Sequence, residues 1–179
     1  ALMAAIYGMH AAGIWTDDRQ ANILDGGAHF YNSYETSDGK FISIASIEKK
    51  FYEELLQLTG FVDPDHKAHA DRKQWKVNKE KMASMIKEKT RDEWCAILEG
   101  TDVCFAPVLS ISEAPHHPHN IARKTFTEVN GVVQPSPAPK FSRTKSKIQS
   151  SPSSVGEDTR SCLVDWGFAV SDVDDLFAK

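Results

Sequence analysis

An α+β fold is predicted for this 179-residue chain, and three observations predict it. Short apolar-rich runs flank Asp38-Gly39 and again Asn130-Gly131, and each dipeptide is a strong hairpin signal. Between these lie segments whose apolar residues recur at helical spacing. A Pro-, Ser- and Lys-rich stretch from Pro135 to Pro152 then separates them from a last pair of helical patterns. The expected architecture is a small domain of antiparallel hairpins and packed helices, flanked by outlying helical pieces.

In chain order, the apolar run from Ala1 to Met9 has neither a basic leader nor signal-peptide length, and it starts without an initiator Met. It reads as the last turns of a helix, so the chain is expected to be a fragment of a longer protein. The polar stretch Asp17 to Asn22 reads as a connection. The aromatic-rich segment from Ala28 to Thr36 and the near-alternating Phe41 to Ala45 predict two antiparallel strands. From Glu48 the period becomes helical, with Phe51, Tyr52, Leu55, Leu56 and Leu58 on one face and Gly60 as a stop. A His- and Lys-containing loop leads to a helix over Arg72–Lys89, whose apolar face carries Met82, Met85 and Ile86.

Thr90-Arg91-Asp92-Glu93 spells a capping box, which opens a helix presenting Trp94, Ile97 and Leu98 and stopping at Gly100. Val103 to Ala106 reads as a short buried strand ending at Pro107, and a short helix is expected near Ser112 to Ala114. Phe126–Val129 and Val132–Val133 form the second hairpin. The stretch from Pro135 to Pro152 is too poor in apolar residues to build a core. Glu157-Asp158-Thr159 starts a helix with Leu163, Val164 and Trp166, stopped at Gly167, and Ser171 is expected to cap one more. Three regions follow: 1–21, a helix end and linker; 22–139, the small α+β domain; and 140–179, a linker and C-terminal helices.

A composition of 41% hydrophobic and 26% charged residues describes a globular chain rather than a disordered one. The net charge of -4 gives no bulk attraction to nucleic acid or anionic membrane, though a local basic patch for a phosphorylated ligand is compatible with it. Neither a nucleic acid nor a membrane is an expected partner, since no apolar run approaches the roughly 18 residues of a bilayer span. Cys95, Cys104 and Cys162 are an odd count without paired spacing, which argues against a disulfide framework or zinc site and for a reducing, intracellular setting.

Asp25-Gly26-Gly27 admits two readings. One is a tight turn into a strand; the other is a ligand wall, because glycines let a ligand approach the main chain. Glu48 is also open between an acid favoured in a first helical turn and a proton shuttle or partner for a histidine. His116, His117 and His119 are interrupted by Pro118 and have no second cluster, so they read as a surface loop rather than metal ligands. Lys73, Lys76, Lys79 and Lys81 read as a solvated face, and Cys104 as an inert core thiol. No P-loop, Ser-His-Asp set or dinucleotide fingerprint is present.

Taken in order, Asn22-Ile23-Leu24-Asp25-Gly26-Gly27-Ala28-His29-Phe30-Tyr31 and Tyr34-Glu35-Thr36-Ser37-Asp38-Gly39 resemble the α-methylacyl-CoA racemases of the family III CoA-transferase superfamily. The resemblance continues through Ile44 to Tyr52, Lys89 to Trp94, Gly100 to Leu109, Glu113-Ala114 through His116, Asn120 and Arg123, Pro137-Ala138-Pro139 and Gly156-Glu157-Asp158-Thr159. It implies a missing Rossmann-like large domain, an interlocked homodimer, and no cofactor, with an acyl-CoA thioester as substrate. It also implies racemisation by α-proton removal and return through an enolate. The family's principal bases, a His in Gly-His-Asp and an Asp in Ala-Asp, have no counterpart motif in this chain.

What carries over is Glu48, matching a Glu that partners the catalytic His, and Asp25, Gly26, Gly27 and Tyr31, matching the loop that lines the acyl-CoA pocket. His29 departs from the family's usual Pro and is assigned no catalytic role. The alternatives are a family III CoA-transferase, which works through an Asp nucleophile, and a non-catalytic dimerisation or acyl-CoA-binding module. Peroxisome, mitochondrion and cytoplasm are not distinguished; Phe177-Ala178-Lys179 is not a Ser-Lys-Leu-type signal.

Overall fold

The computed structural model describes residues 1–63, 69 and 71–178. Within them the chain is α+β, with helices packed beside small antiparallel sheets. Contacts divide it into two compact units, Ala1–Leu109 and Ser110–Lys179.

The first unit is organised by a three-stranded antiparallel sheet in the order β1-β2-β3, with β1 at Tyr31–Glu35, β2 at Phe41–Ala45 and β3 at Phe105–Val108. The Asp38-Gly39 hairpin forms as expected, pairing Tyr31 with Ala45 and Glu35 with Phe41. Its tip is tied down from outside: Ser37 N–H donates to the Lys89 carbonyl at 2.9 Å, and Arg91 N–H reaches the Asp38 carboxylate at 3.3 Å. Strand alternation sends Tyr34, Ile42 and Ile44 into the core, while Tyr31, Ser33, Ser43 and Ala45 lie on the opposite face.

Helices cover the buried face. In chain order, α1 is Ala4–Ala11, α2 Lys49–Thr59, α3 Arg72–Ile86 and α4 Arg91–Leu98. The core takes Tyr52, Leu55 and Leu56 from α2, Trp75, Met82 and Ile86 from α3, and Trp94 and Leu98 from α4, around Phe30 and Val103. Trp94 is 1% exposed and its indole N–H donates to the Ile86 carbonyl at 2.8 Å, so the ring is buried without stranding its donor. The predicted capping box at Thr90 and Glu93 is present in both directions, and Gly60 closes α2 in a left-handed conformation. By contrast α1 buries no residue, and Leu2 and Tyr7 are largely exposed. The His- and Lys-containing loop before α3 lies mostly outside the described residues.

The third strand differs from its expectation. It begins at Phe105 and is half-exposed rather than buried, because it pairs on one side only, with β2. Cys104 precedes it, exposed, at a positive φ of 54°, so it is not a core thiol. Partial burial and the neighbouring Glu48 carboxylate push its thiol pKa up.

In the second unit, the short helix expected near Ser112 is a 3-10 turn at Ala114–His116 followed by α5, Pro118–Arg123. The three histidines fall on these two pieces and the residue between them. The second hairpin, β4 at Phe126–Val129 and β5 at Val132–Pro135, turns through Asn130 and Gly131, both at positive φ, as a type I′ turn requires. After β5 there is no regular element until α6, Thr159–Asp165, and α7, Val170–Phe177. The residue capping α7 is Ala169, without a side-chain hydrogen bond, and Ser171 lies inside the helix. Among the described residues no helix is long and apolar enough to cross a membrane.

Candidate functional site

The site is built from the loop that feeds β1. Asp25 turns its carboxylate back onto the chain, accepting from Asn22 N–H at 2.9 Å, Asn22 Nδ2 at 2.9 Å, Gly27 N–H at 3.1 Å and Ala21 N–H at 3.3 Å. Burial raises its pKa, but the hydrogen bonds from Asn22, Gly27 and Ala21 outweigh it and hold the group below the ordinary carboxylate value. Asn22 is itself buried and engaged on both sides, exchanging hydrogen bonds with Thr16 N–H and the Thr16 carbonyl. The Asp25 carboxylate therefore serves the loop itself.

The two glycines have different reasons. Gly26 sits at φ +85°, a conformation L side chains rarely adopt. A Cβ on Gly27 would lie 2.6 Å from the Asn22 carbonyl oxygen and 2.9 Å from Asn22 N and the Gln20 oxygen. The close approach that this glycine permits is thus to the protein's own main chain. The Gly26 carbonyl accepts from Asn32 Nδ2 at 3.2 Å and from Lys79 Nζ at 2.9 Å. Lys79, expected on a solvated face, is half-buried and clamps the loop to α3.

Gly26 and Tyr31 line a concavity of about 280 Å³ with Asn32, Ser33, Ser43 and Ala45, over the outer face of β1 and β2. The Ser33 and Ser43 hydroxyls bridge the strands there at 2.7 Å. Glu48 lies three residues beyond Ala45, at the N-terminus of α2. Its side chain is exposed and makes no capping hydrogen bond, so the acid does not satisfy the helix's free N–H groups. The structure thus puts Gly26 and Tyr31 into one cavity, Asp25 beneath the loop, and Glu48 just past the strand that closes the cavity.

Sequence reasoning missed the buried network behind the loop. His29 is fully buried; its Nε2 lies 2.8 Å from Tyr52 Oη, and Tyr52 donates to Asp63 at 3.1 Å. That chain of donors makes Nε2 the protonated nitrogen and leaves Nδ1 as a lone pair without a partner among the described residues. Burial, with His69 adding to it and Asp63 opposing it, lowers the His29 pKa from 6.5 to about 4. The three residues come from three separate segments, so no spacing in the sequence ties them together. Among the described residues no group of three or more His, Cys, Asp or Glu is placed to hold a metal ion.

The sequence model of CoA-transferase family III matches residues 1–159. The chain is 40% identical over 164 residues to the α-methylacyl-CoA racemase of Mus musculus, covering 90% of this chain and 43% of that protein. It is 37% identical over 163 residues to the α-methylacyl-CoA racemase of Homo sapiens, covering 89% and 42%. It therefore spans less than half the length of these relatives. A crystal structure of a CAIB/BAIF family protein from Brucella suis superposes with a TM-score of 0.61 at 19% identity, over 92% of this chain and 44% of that one.

Two measurements check this geometry. Replacing Gly27 by Ala is expected to cost roughly 1–3 kcal/mol, because the added methyl meets backbone rather than a yielding side chain; a loss below about 0.5 kcal/mol in urea unfolding would show that the loop relaxes freely. The His29 effect has a definite sign. Above pH about 6.5 both folded and unfolded forms are neutral, and below it the unfolded form alone takes a proton until the folded pKa near 4. Stability present above 6.5 should therefore fall on acidification toward 4, by roughly 3 kcal/mol in total. His29→Gln should flatten that part of the pH–stability curve, and an unchanged slope would remove His29 as its source.

Proposed function

The chain belongs to CoA-transferase family III, and on that premise we propose that it is part of a 2-methylacyl-CoA racemase. In this reading one base removes the proton beside the thioester carbonyl, an enolate forms, and an acid returns a proton to the opposite face. The carbon acid is weak, so the reaction depends on holding its bases close and stabilising the enolate oxygen. Asp25, Gly26, Gly27 and Tyr31 form a wall of the acyl-CoA pocket, Gly26 and Tyr31 directly and Asp25 by fixing the loop. Acyl-CoA is substrate, and the proposal uses no cofactor.

The observation that carries the reading is the state of Glu48. It occupies the N-cap position of α2, and its carboxylate is exposed and makes no side-chain hydrogen bond to the helix. Such a group is available to orient and charge-stabilise a histidine supplied from elsewhere in the assembled protein. We assign it that positioning role and place the principal His and Asp bases outside residues 1–179, so this stretch alone would not racemise. The exposed apolar residues of α1, with Trp166 and Phe168 beyond α6, support regions 1–21 and 140–179 packing on a large domain and region 22–139 forming the small one. A homodimer and an intracellular setting belong to the same proposal.

In the full-length protein, Glu48→Gln is expected to slow deuterium exchange at the α-carbon of a 2-methylacyl-CoA by at least about tenfold. It should also move the pH–rate profile, because the histidine would lose its anionic neighbour. Unchanged exchange with an unchanged profile would take Glu48 out of the mechanism.

A further inference from the structure

The loop borders a second concavity, separate from the one that Gly26 and Tyr31 line. Gly27 lines it, and its volume is about 450 Å³. Four cations stand around it, Arg19, Arg72, Lys76 and Lys79, against one carboxylate, Glu80. Two of the cations are fixed by uncharged partners. The Arg72 guanidinium donates to the Ile14 carbonyl and lies 5.5 Å from the Trp75 ring, while Lys79 donates to the Gly26 carbonyl and to Gln20 Oε1. These bonds orient the charges without neutralising them.

Arg19 and Lys76 make no hydrogen bond or ion pair with any described residue. Four positive charges around one small volume repel each other, in a chain whose overall charge is -4. An anion placed among them relieves that repulsion. Guanidinium forks together with ammonium groups suit a phosphate, whose several oxygens accept from more than one donor at once. The backbone is not the receptor here, because the Gly27 N–H is already given to Asp25.

We propose that this concavity is a phosphate-binding site, with Arg72 and Lys79 as its fixed donors and Arg19 and Lys76 closing on the ligand. The phosphate has two candidate sources: the phosphoadenosine end of an acyl-CoA, which rests on the function proposed above, and a free phosphorylated small molecule, which does not.

Titration calorimetry of the full-length protein with pyrophosphate, CoA and dephospho-CoA tests this. At low salt, pyrophosphate or CoA should bind, and Arg19→Ala combined with Lys76→Ala should weaken that binding about tenfold or more. These side chains are exposed and hold nothing else in place, so the variant is expected to fold. Lys81→Ala, on the same helix but outside the cavity, should bind like the parent. CoA binding tighter than dephospho-CoA in the parent, with that preference lost in the double variant, assigns the site to the CoA phosphate. Pyrophosphate binding without such a preference assigns it to a free ligand, and the site stands even if the racemase reading fails. No binding of either probe, or equal binding by the double variant, overturns the proposal.

Discussion

The Asp25 carboxylate gathers four donors from residues 21, 22 and 27, and this one cluster sets the path by which the chain enters the sheet. Charge-assisted hydrogen bonds of this kind are among the stronger polar interactions in a protein. They close the loop so tightly that position 27 has no room for a Cβ. The closed loop presents the Gly26 carbonyl to Lys79 and so couples the start of β1 to α3. Gly26 borders one concavity and Gly27 another, so these two cavities take a wall from the same few residues.

Directly after the loop the chain turns inward. Ala28, His29 and Phe30 are all fully buried, and the Tyr34 hydroxyl donates to the His29 carbonyl at 2.6 Å. Burying an imidazole is tolerable because it is neutral and hydrogen-bonded to Tyr52, which in turn satisfies Asp63. The ring packs edge-on to Phe30 and Tyr52, filling space as an aromatic would. A polar network thus anchors the back of the loop, while its front remains open to solvent.

Glu48 and Asp25 show how alike two acids can look before folding and how differently they end. Each stands at the edge of a regular element, where turn and cap roles are common. Asp25 is spent on its own loop. Glu48 keeps its carboxylate free, since the helix start that it occupies draws no side-chain hydrogen bond from it. That difference gives the two acids separate places in the proposed reaction, one supporting the pocket wall and one reaching outward.

The sequence by itself determined the elements whose signals are local. Asp38-Gly39 and Asn130-Gly131 specify hairpins through backbone conformations that few other residues favour, and Thr90 with Glu93 specifies a helix start through two reciprocal hydrogen bonds. The apolar spacing of α2 and α3 likewise marks which faces enter the core. Only the tertiary structure decided what depends on partners distant in the chain. Cys104 lies outside the core because β3 is an edge strand that starts one residue later. Lys79 leaves the solvated face because the fold brings it to the Gly26 carbonyl, 53 positions away in the chain. His29 is buried because Tyr52 and Asp63 arrive to receive it. Local patterns record the conformational preferences of a few neighbours, whereas burial and hydrogen-bond pairing are settled only when separate segments meet.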